Sequence, residues 1–162
     1  MLTQAELKIL VNYDHDTGIF TWNKSRKCAK PGVKVGTVGF NGYCHACLNY
    51  KKYYLHRLAW LYVYGEIPNS EIDHINRIKT DNRICNLRLA TRNQNLWNTS
   101  LQKRNKSGHK NISLHKPTGL WRVIITKNKK TVVNKYFITI NEAISYAEKA
   151  RKEHFGVYSN AD

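Results

Sequence analysis

Four residues in the middle of the chain are of types suited to hydrolysing phosphodiesters: the adjacent pair Asp73-His74, then Asn86, then Asn95. Such hydrolysis needs a base to take a proton from the attacking water. It also needs a divalent cation to stabilise charge on the phosphate and on the departing oxygen. An imidazole with its ordinary pKa of about 6.5 is largely neutral at working pH, which suits His74 to the base's role. Asp73 and Asn95 offer oxygen donors, the kind a hard cation such as Mg2+ takes while keeping several waters. Asn86 carries both a donor and an acceptor, so it can pin a loop by bridging two backbone segments. Asn82, Asn93 and Asn98 read as turn, cap or phosphate-contact residues. One geometric demand follows. Neighbours on a straight strand point to opposite faces, so Asp73 and His74 share a site only where the chain bends.

The surrounding pattern supplies elements to hold these residues. An apolar-flanked Asp-His pair ends one strand, a polar loop follows, and a second strand is expected near Leu87 to Ala90. The capping box Thr91-x-x-Gln94 then opens a helix that carries Asn95 one turn in. Further boxes, Thr3-x-x-Glu6 and Thr139-x-x-Glu142, place helices at Gln4 to Asn12 and about Asn141 to Phe155. The first has Leu7, Leu10 and Val11 on one face. Another helix, Tyr54 to Tyr64, aligns Leu55, Leu58, Ala59 and Tyr62. Strands are expected at Ile19 to Trp22, Lys34 to Phe40 and Tyr43 to Asn49, with the turn Asn41-Gly42 between the last two. The stretch from Lys24 to Lys34, with Pro31-Gly32, reads as a loop. Three more strands, Lys110 to His115, Trp121 to Thr126 and Val132 to Ile138, precede the last helix.

Charge is the strongest bulk feature: 27 Lys and Arg against 11 Asp and Glu, a net charge of +16. A polyanionic partner explains it, because phosphate neutralisation releases counterions. Residues 101–140 carry ten Lys or Arg and no Asp or Glu. The run is interleaved with Trp121, Tyr136 and Phe137 on expected strands, which favours a binding sheet over a merely solvated face. No lipidation motif or long basic amphipathic helix points to a membrane. Cys44-His45-Ala46-Cys47 has zinc-knuckle spacing, but no second close pair follows. A zinc site using Cys28, Cys44, Cys47 and His45 or Cys85 is therefore not expected, and the segment reads as a strand with two incidental thiols. The N-terminus lacks a basic region followed by an apolar stretch, so a cytoplasmic protein is expected.

Residues 53–98 resemble the HNH endonucleases, the ββα-metal type of phage and intron homing nucleases. The match lies in the His56-Arg57-Leu58-Ala59 helix, the Asp73-His74 pair, the Asn86-Leu87 step and Asn95. The resemblance implies that His74 is the general base, that Asp73 and Asn95 bind metal, and that Asn86 holds the loop. The last position is often His in that family; here it is Asn95. A second resemblance covers residues 107–160. Ser107-Gly108, Gly119-Leu120-Trp121-Arg122-Val123, Phe137-x-Thr139, Glu142-Ala143 and Phe155-Gly156 resemble the plant ethylene-responsive-factor DNA-binding domain. It implies a three-stranded sheet laid in the major groove, with Trp121, Arg122, Lys127, Lys129 and Lys135 as DNA contacts. Arg92, Lys103, Arg104 and Lys106 join them as basic residues on the helix and linker.

The expected fold class is α+β: a ββα-metal core, preceded by a small β-rich leader and followed by a three-stranded antiparallel sheet plus helix. The expected divisions are a leader at 1–52, a nuclease core at 53–98, a basic linker at 99–108 and a DNA-binding domain at 109–162. The expected protein is a monomeric, sequence-preferring HNH endonuclease of phage or homing type, acting on double-stranded DNA with Mg2+ or Mn2+. The alternative is a DNA-binding regulator with an inactive core; an RNA-binding protein has only charge and aromatics in its favour. Imidazole suits Ni2+ and Co2+ better than Mg2+. Asn95→His is therefore expected to gain relative cleavage with Ni2+ or Co2+ and lose it with Mg2+. A metal ranking unmoved by Asn95→His but altered by Asn93→His or Asn98→His would assign the position to a different asparagine.

Overall fold

The first and last α-helices are each started by a reciprocal cap. The Thr3 hydroxyl accepts from the Glu6 N–H at 3.2 Å and the Glu6 carboxylate accepts from the Thr3 N–H at 2.9 Å, which starts helix α1 (Gln4–Leu10). Thr139 and Glu142 repeat the arrangement at the start of α4 (Ile140–Phe155). The computed structural model describes residues 2–25, 29–101 and 104–159. The chain divides into two units, Met1–Thr91 and Arg92–Asp162.

In the first unit, β1 (Val11–Tyr13) pairs antiparallel with β2 (Phe20–Trp22). A second sheet has the order β3 (Thr37–Val38), β4 (Cys44–Leu48), β5 (Lys51–Tyr54). Helix α2 (Leu55–Tyr64) follows and stops at Gly65, whose φ of 87° is the left-handed value that favours glycine. Then β6 (Glu71–His74) and β7 (Leu87–Ala90) form an antiparallel pair. One apolar core joins all of this: Leu7, Val11, Tyr13, Phe20, Leu48, Leu55, Leu58, Ile72 and Leu87 are buried in a single cluster.

The second unit begins with α3 (Arg92–Trp97) and contains one sheet, order β10-β9-β8. Its strands are β8 (Ile112–His115), β9 (Leu120–Lys127) and β10 (Lys130–Phe137). The β9–β10 turn, Asn128-Lys129, has φ of 52° and 64°, the left-handed pair that tight hairpins prefer. Helix α4 lays Ala143, Ala147 and Ala150 on Val123 and Ile125 of the sheet; small side chains let its backbone come close. The fold class is α+β, with a β-rich N-terminal part and a three-stranded antiparallel sheet plus helix at the end, as expected.

Several element boundaries differ from expectation. Helix α1 ends at Leu10, because Val11 and Tyr13 alternate inward on a strand with Asn12 exposed between them. The strand expected over Lys34 to Phe40 contracts to two residues; Gly36, at φ 93°, lies within the expected span and breaks it. Strand β5 was not anticipated, since Lys51 and Lys52 are exposed and lack apolar alternation. None of the described helices is long and apolar enough to cross a membrane.

His56, in the first turn of α2, is buried, stacked on Tyr54 at 5.4 Å and edge-on to His74 at 5.3 Å. Its Nδ1 has no hydrogen-bond partner. Burial first, then the charges of His74 and Arg57, push its pKa down to about 3. In the unfolded chain the same ring takes a proton at about pH 6.5. Between those values the unfolded state holds more protons, so stability is full above the upper one and falls as pH drops toward the lower. The slope for this group approaches about 1.4 kcal/mol per pH unit. Urea unfolding at pH 7 and pH 5 should show the loss, and His56→Gln should flatten it; equal slopes would refute the assignment.

Candidate functional site

The loop between β6 and β7 is closed by the amide of Asn86. Its Oδ1 accepts from the Asn76 N–H at 3.0 Å, and its Nδ2 donates to Asn76 Oδ1 and to the Asp81 carbonyl, both at 2.9 Å. The Asn86 carbonyl accepts from the Ile75 N–H at 2.9 Å, extending the strand pairing by one step. Arg77, at φ 65°, closes the tight turn by donating its N–H to the His74 carbonyl. Asp81 ties the far side of the loop, accepting from Asn76 and from the Arg83 guanidinium, which holds its carboxyl down at about 2.

Asp73 and His74 are both buried at the end of β6, and both lie in the ladder, opposite Arg88 and Leu87. They have different partners. Asp73 Oδ2 accepts from Arg88 Nε at 2.8 Å and Nη2 at 2.7 Å. The His74 ring meets Asn82, with Nε2 3.3 Å from Oδ1, and packs against the rings of His56 and Tyr43. Burial lowers the His74 pKa, opposed by the Asn82 hydrogen bond and the charges of Asp73 and Asp81. The net direction favours the uncharged imidazole over the charged one. Arg57 donates to the carbonyls of Pro68 and Ser70 and so anchors the segment that enters β6.

Two supports escaped the sequence reading. Arg88 is recognisable only once its register opposite Asp73 is known. Asn82, read there as a turn, cap or phosphate-contact residue, is 2% exposed and turned toward His74. Its neighbour Asp81 gave no signal of that, because Asn82's partner is on the other arm of the hairpin.

Asn95 and Arg92 lie on α3, in the second unit. Arg104 and Lys106 are exposed, and Lys103 is outside the described residues. Lys129 is exposed at the β9–β10 turn and Lys135 on β10. Lys127 Nζ donates to the His154 carbonyl at 2.6 Å and lies over the Trp97 ring, so it is engaged within the unit. Trp121 packs against the core of the unit. Arg122 alternates to the other face, where it donates to Asn134 and lies over Tyr136, with His115 edge-on to that ring. Asn134 and His115 were not singled out from the sequence; Tyr136 was, as an aromatic of the basic run, and the strand register groups all three with Arg122.

Cys44 is half-buried, and Cys47 and Cys85 are exposed; Cys28 is outside the described residues. Among the described residues no three His, Cys, Asp or Glu side chains are gathered as a metal-holding group. Asp73 still fits a hard divalent cation in its chemistry. It is a buried carboxylate, and carboxylate oxygens are the donors such a cation takes.

Residues 53–96 match the family described as HNH endonuclease. The chain is 31% identical over 116 residues to Protein 3.8 of Escherichia phage T7, covering 68% of this chain and 95% of that protein. It is 34% identical over 110 residues to the uncharacterized HNH endonuclease L560 of Acanthamoeba polyphaga mimivirus, covering 67% of this chain and 56% of that one. Among solved structures it is similar to that of DNA binding and cleavage by the HNH homing endonuclease I-HmuI. The TM-score is 0.43 with 17% identity, over 90% of this chain and 85% of that one. The family match falls on α2, the β6–β7 hairpin and the start of α3, the segment that carries Asp73, His74 and Asn86, and the chain belongs to the HNH endonuclease family.

Proposed function

We propose that the protein is a metal-dependent endonuclease of phage or homing type that hydrolyses phosphodiester bonds of double-stranded DNA with a preference for sequence. The observation that carries this reading is the buried His74, held by Asn82 and next in the chain to an Asp73 oriented by Arg88; burial lowers the pKa of the ring. His74 takes the proton of the attacking water. Asn86 keeps the loop closed so that the ring's position survives DNA binding. Asp73 would hold the cation, Mg2+ or Mn2+, and the resemblance to the family's motif assigns Asn95 the role of a metal ligand too. When bound, that cation stabilises charge on the phosphate and on the departing oxygen.

The second unit supplies DNA affinity in this reading, in the manner that its resemblance to the ethylene-responsive-factor domain implies. Arg122 sits on the sheet face away from α4, Lys129 is exposed at the β9–β10 turn, and Lys135 is exposed on the edge strand β10, opposite Val123 in register and so on the other face from Arg122. Arg92, Arg104 and Lys106 add exposed positive charge. A second reading, a DNA-binding regulator with a silent core, is favoured by one observation: Arg88 already occupies one oxygen of Asp73. Incubating plasmid with the protein separates the two. Relaxed or linear product with Mg2+ and none with EDTA supports the nuclease; a gel shift without any cutting supports the regulator.

His74→Ala is expected to lower cleavage by about 10²- to 10⁴-fold while leaving the gel shift intact. Parallel loss of both, or surviving cleavage, would remove His74 from the base's role. Arg122→Ala and Lys135→Ala should each reduce the slope of log affinity against log salt by about 0.9. Slopes equal to the parent's would mean that the sheet does not contact phosphate.

A further inference from the structure

The N-terminal hairpin reaches the nuclease site. Tyr13, on β1, is 3% exposed and wedged among Phe20 at 4.6 Å, His15 at 5.0 Å and Tyr62 at 5.5 Å. Its hydroxyl donates to the Asn82 carbonyl at 2.8 Å, a buried bond between residues 69 apart in sequence. Burial pushes the phenol up to about 12, so it stays protonated and remains a donor. The turn that follows β1 lies against the same backbone. Gly18 has φ of 70°, and a Cβ there would stand 2.4 Å from the Arg83 nitrogen and 2.6 Å from the Asn82 carbonyl carbon. Only glycine lets the two segments approach so closely.

Asn82 turns this contact into an orientation. Its Nδ2 donates to the Thr80 carbonyl at 3.2 Å, which directs Oδ1 toward His74 Nε2 at 3.3 Å. An amide oxygen can only accept, so the neutral ring carries its proton on Nε2 and its lone pair on Nδ1. If Asn82 swings or flips, an NH2 group faces the ring and the opposite tautomer is favoured. We propose that Tyr13 is a positioning residue of the nuclease site: by holding the Asn82 backbone it keeps the Asn82 amide, and through it the His74 ring, in one orientation. The proposal rests on the reading of His74 as the base. It gives the first fifty residues a part in the chemistry that their own residue types do not suggest.

The test uses the full chain with Tyr13→Phe, Asn82→Ala and the double variant. Tyr13→Phe keeps the ring and its packing and deletes only the hydroxyl. Steady-state cleavage with Mg2+ should show kcat down about tenfold, the scale of one hydrogen bond, with KM for DNA unchanged. Asn82→Ala should cost about a hundredfold, as misplacement of a reacting group does. In the Asn82→Ala background, Tyr13→Phe should cost nothing further, since the link to His74 is already cut. Independent multiplication of the two losses, an unchanged kcat for Tyr13→Phe, or a change in KM alone would overturn the proposal. A second readout does not need cleavage. Long-range 15N spectra of the histidine rings should show His74 protonated at Nε2 in the parent and a mixed tautomer in Tyr13→Phe and in Asn82→Ala. An unaltered His74 pattern in both variants overturns the proposal as well. A parent that fails to cut plasmid sinks the nuclease reading, and the ring spectra still decide the role of Tyr13.

Discussion

One side-chain amide carries the geometry of the β6–β7 loop. Asn86 makes hydrogen bonds to the Asn76 N–H, the Asn76 side chain and the Asp81 carbonyl, and it is itself buried. An amide of this kind is fully satisfied in only one arrangement of its neighbours, and a buried donor left unpaired costs roughly 1–3 kcal/mol. The loop therefore has a single low-energy path. Asn82 lies on that path, and so does the turn at Arg77 that receives the chain from His74. A loop of comparable length without such a clasp would leave Asn82 free to move away from the histidine.

The electrostatics within the first unit are graded. Burial lowers the His74 pKa and outweighs the acids near it. Asp73, also buried, is paired with Arg88 directly across the ladder. Such a pair is costly to desolvate, and losing either partner leaves an uncompensated charge, which typically costs about 3–5 kcal/mol. Asp81 and Arg83, by contrast, form their pair at the surface, where its contribution to stability is small and its use is to hold Asn76 in place. The same residue types thus do different work according to their depth.

The elements whose patterns are complete over a short window were legible in the sequence. Helices α2 and α4, the β6–β7 pair and the three C-terminal strands fall close to where periodicity and caps put them. Asp73, His74 and Asn86 stood out by type and order. What stayed hidden depends on contacts between distant positions. Strand β1 is three residues long and has meaning only beside β2. Arg88 and Asn82 are ordinary polar residues until the register and the loop path are known. Tyr13 opens the turn-rich stretch Tyr13 to Gly18, and nothing near it in the chain points to Asn82.

The core of the first unit draws on both ends of that unit at once. Leu7, Val11 and Phe20 are packed in the same cluster as Leu58, Ile72 and Leu87. No layer of it can be withdrawn without exposing another, so this unit should melt cooperatively, with no partly folded form that keeps a working hairpin. A chain that lacks one of these layers loses the support of the β6–β7 hairpin as a whole rather than by degrees, so Asp73, His74 and Asn86 take up their arrangement only once the entire shared interior has formed.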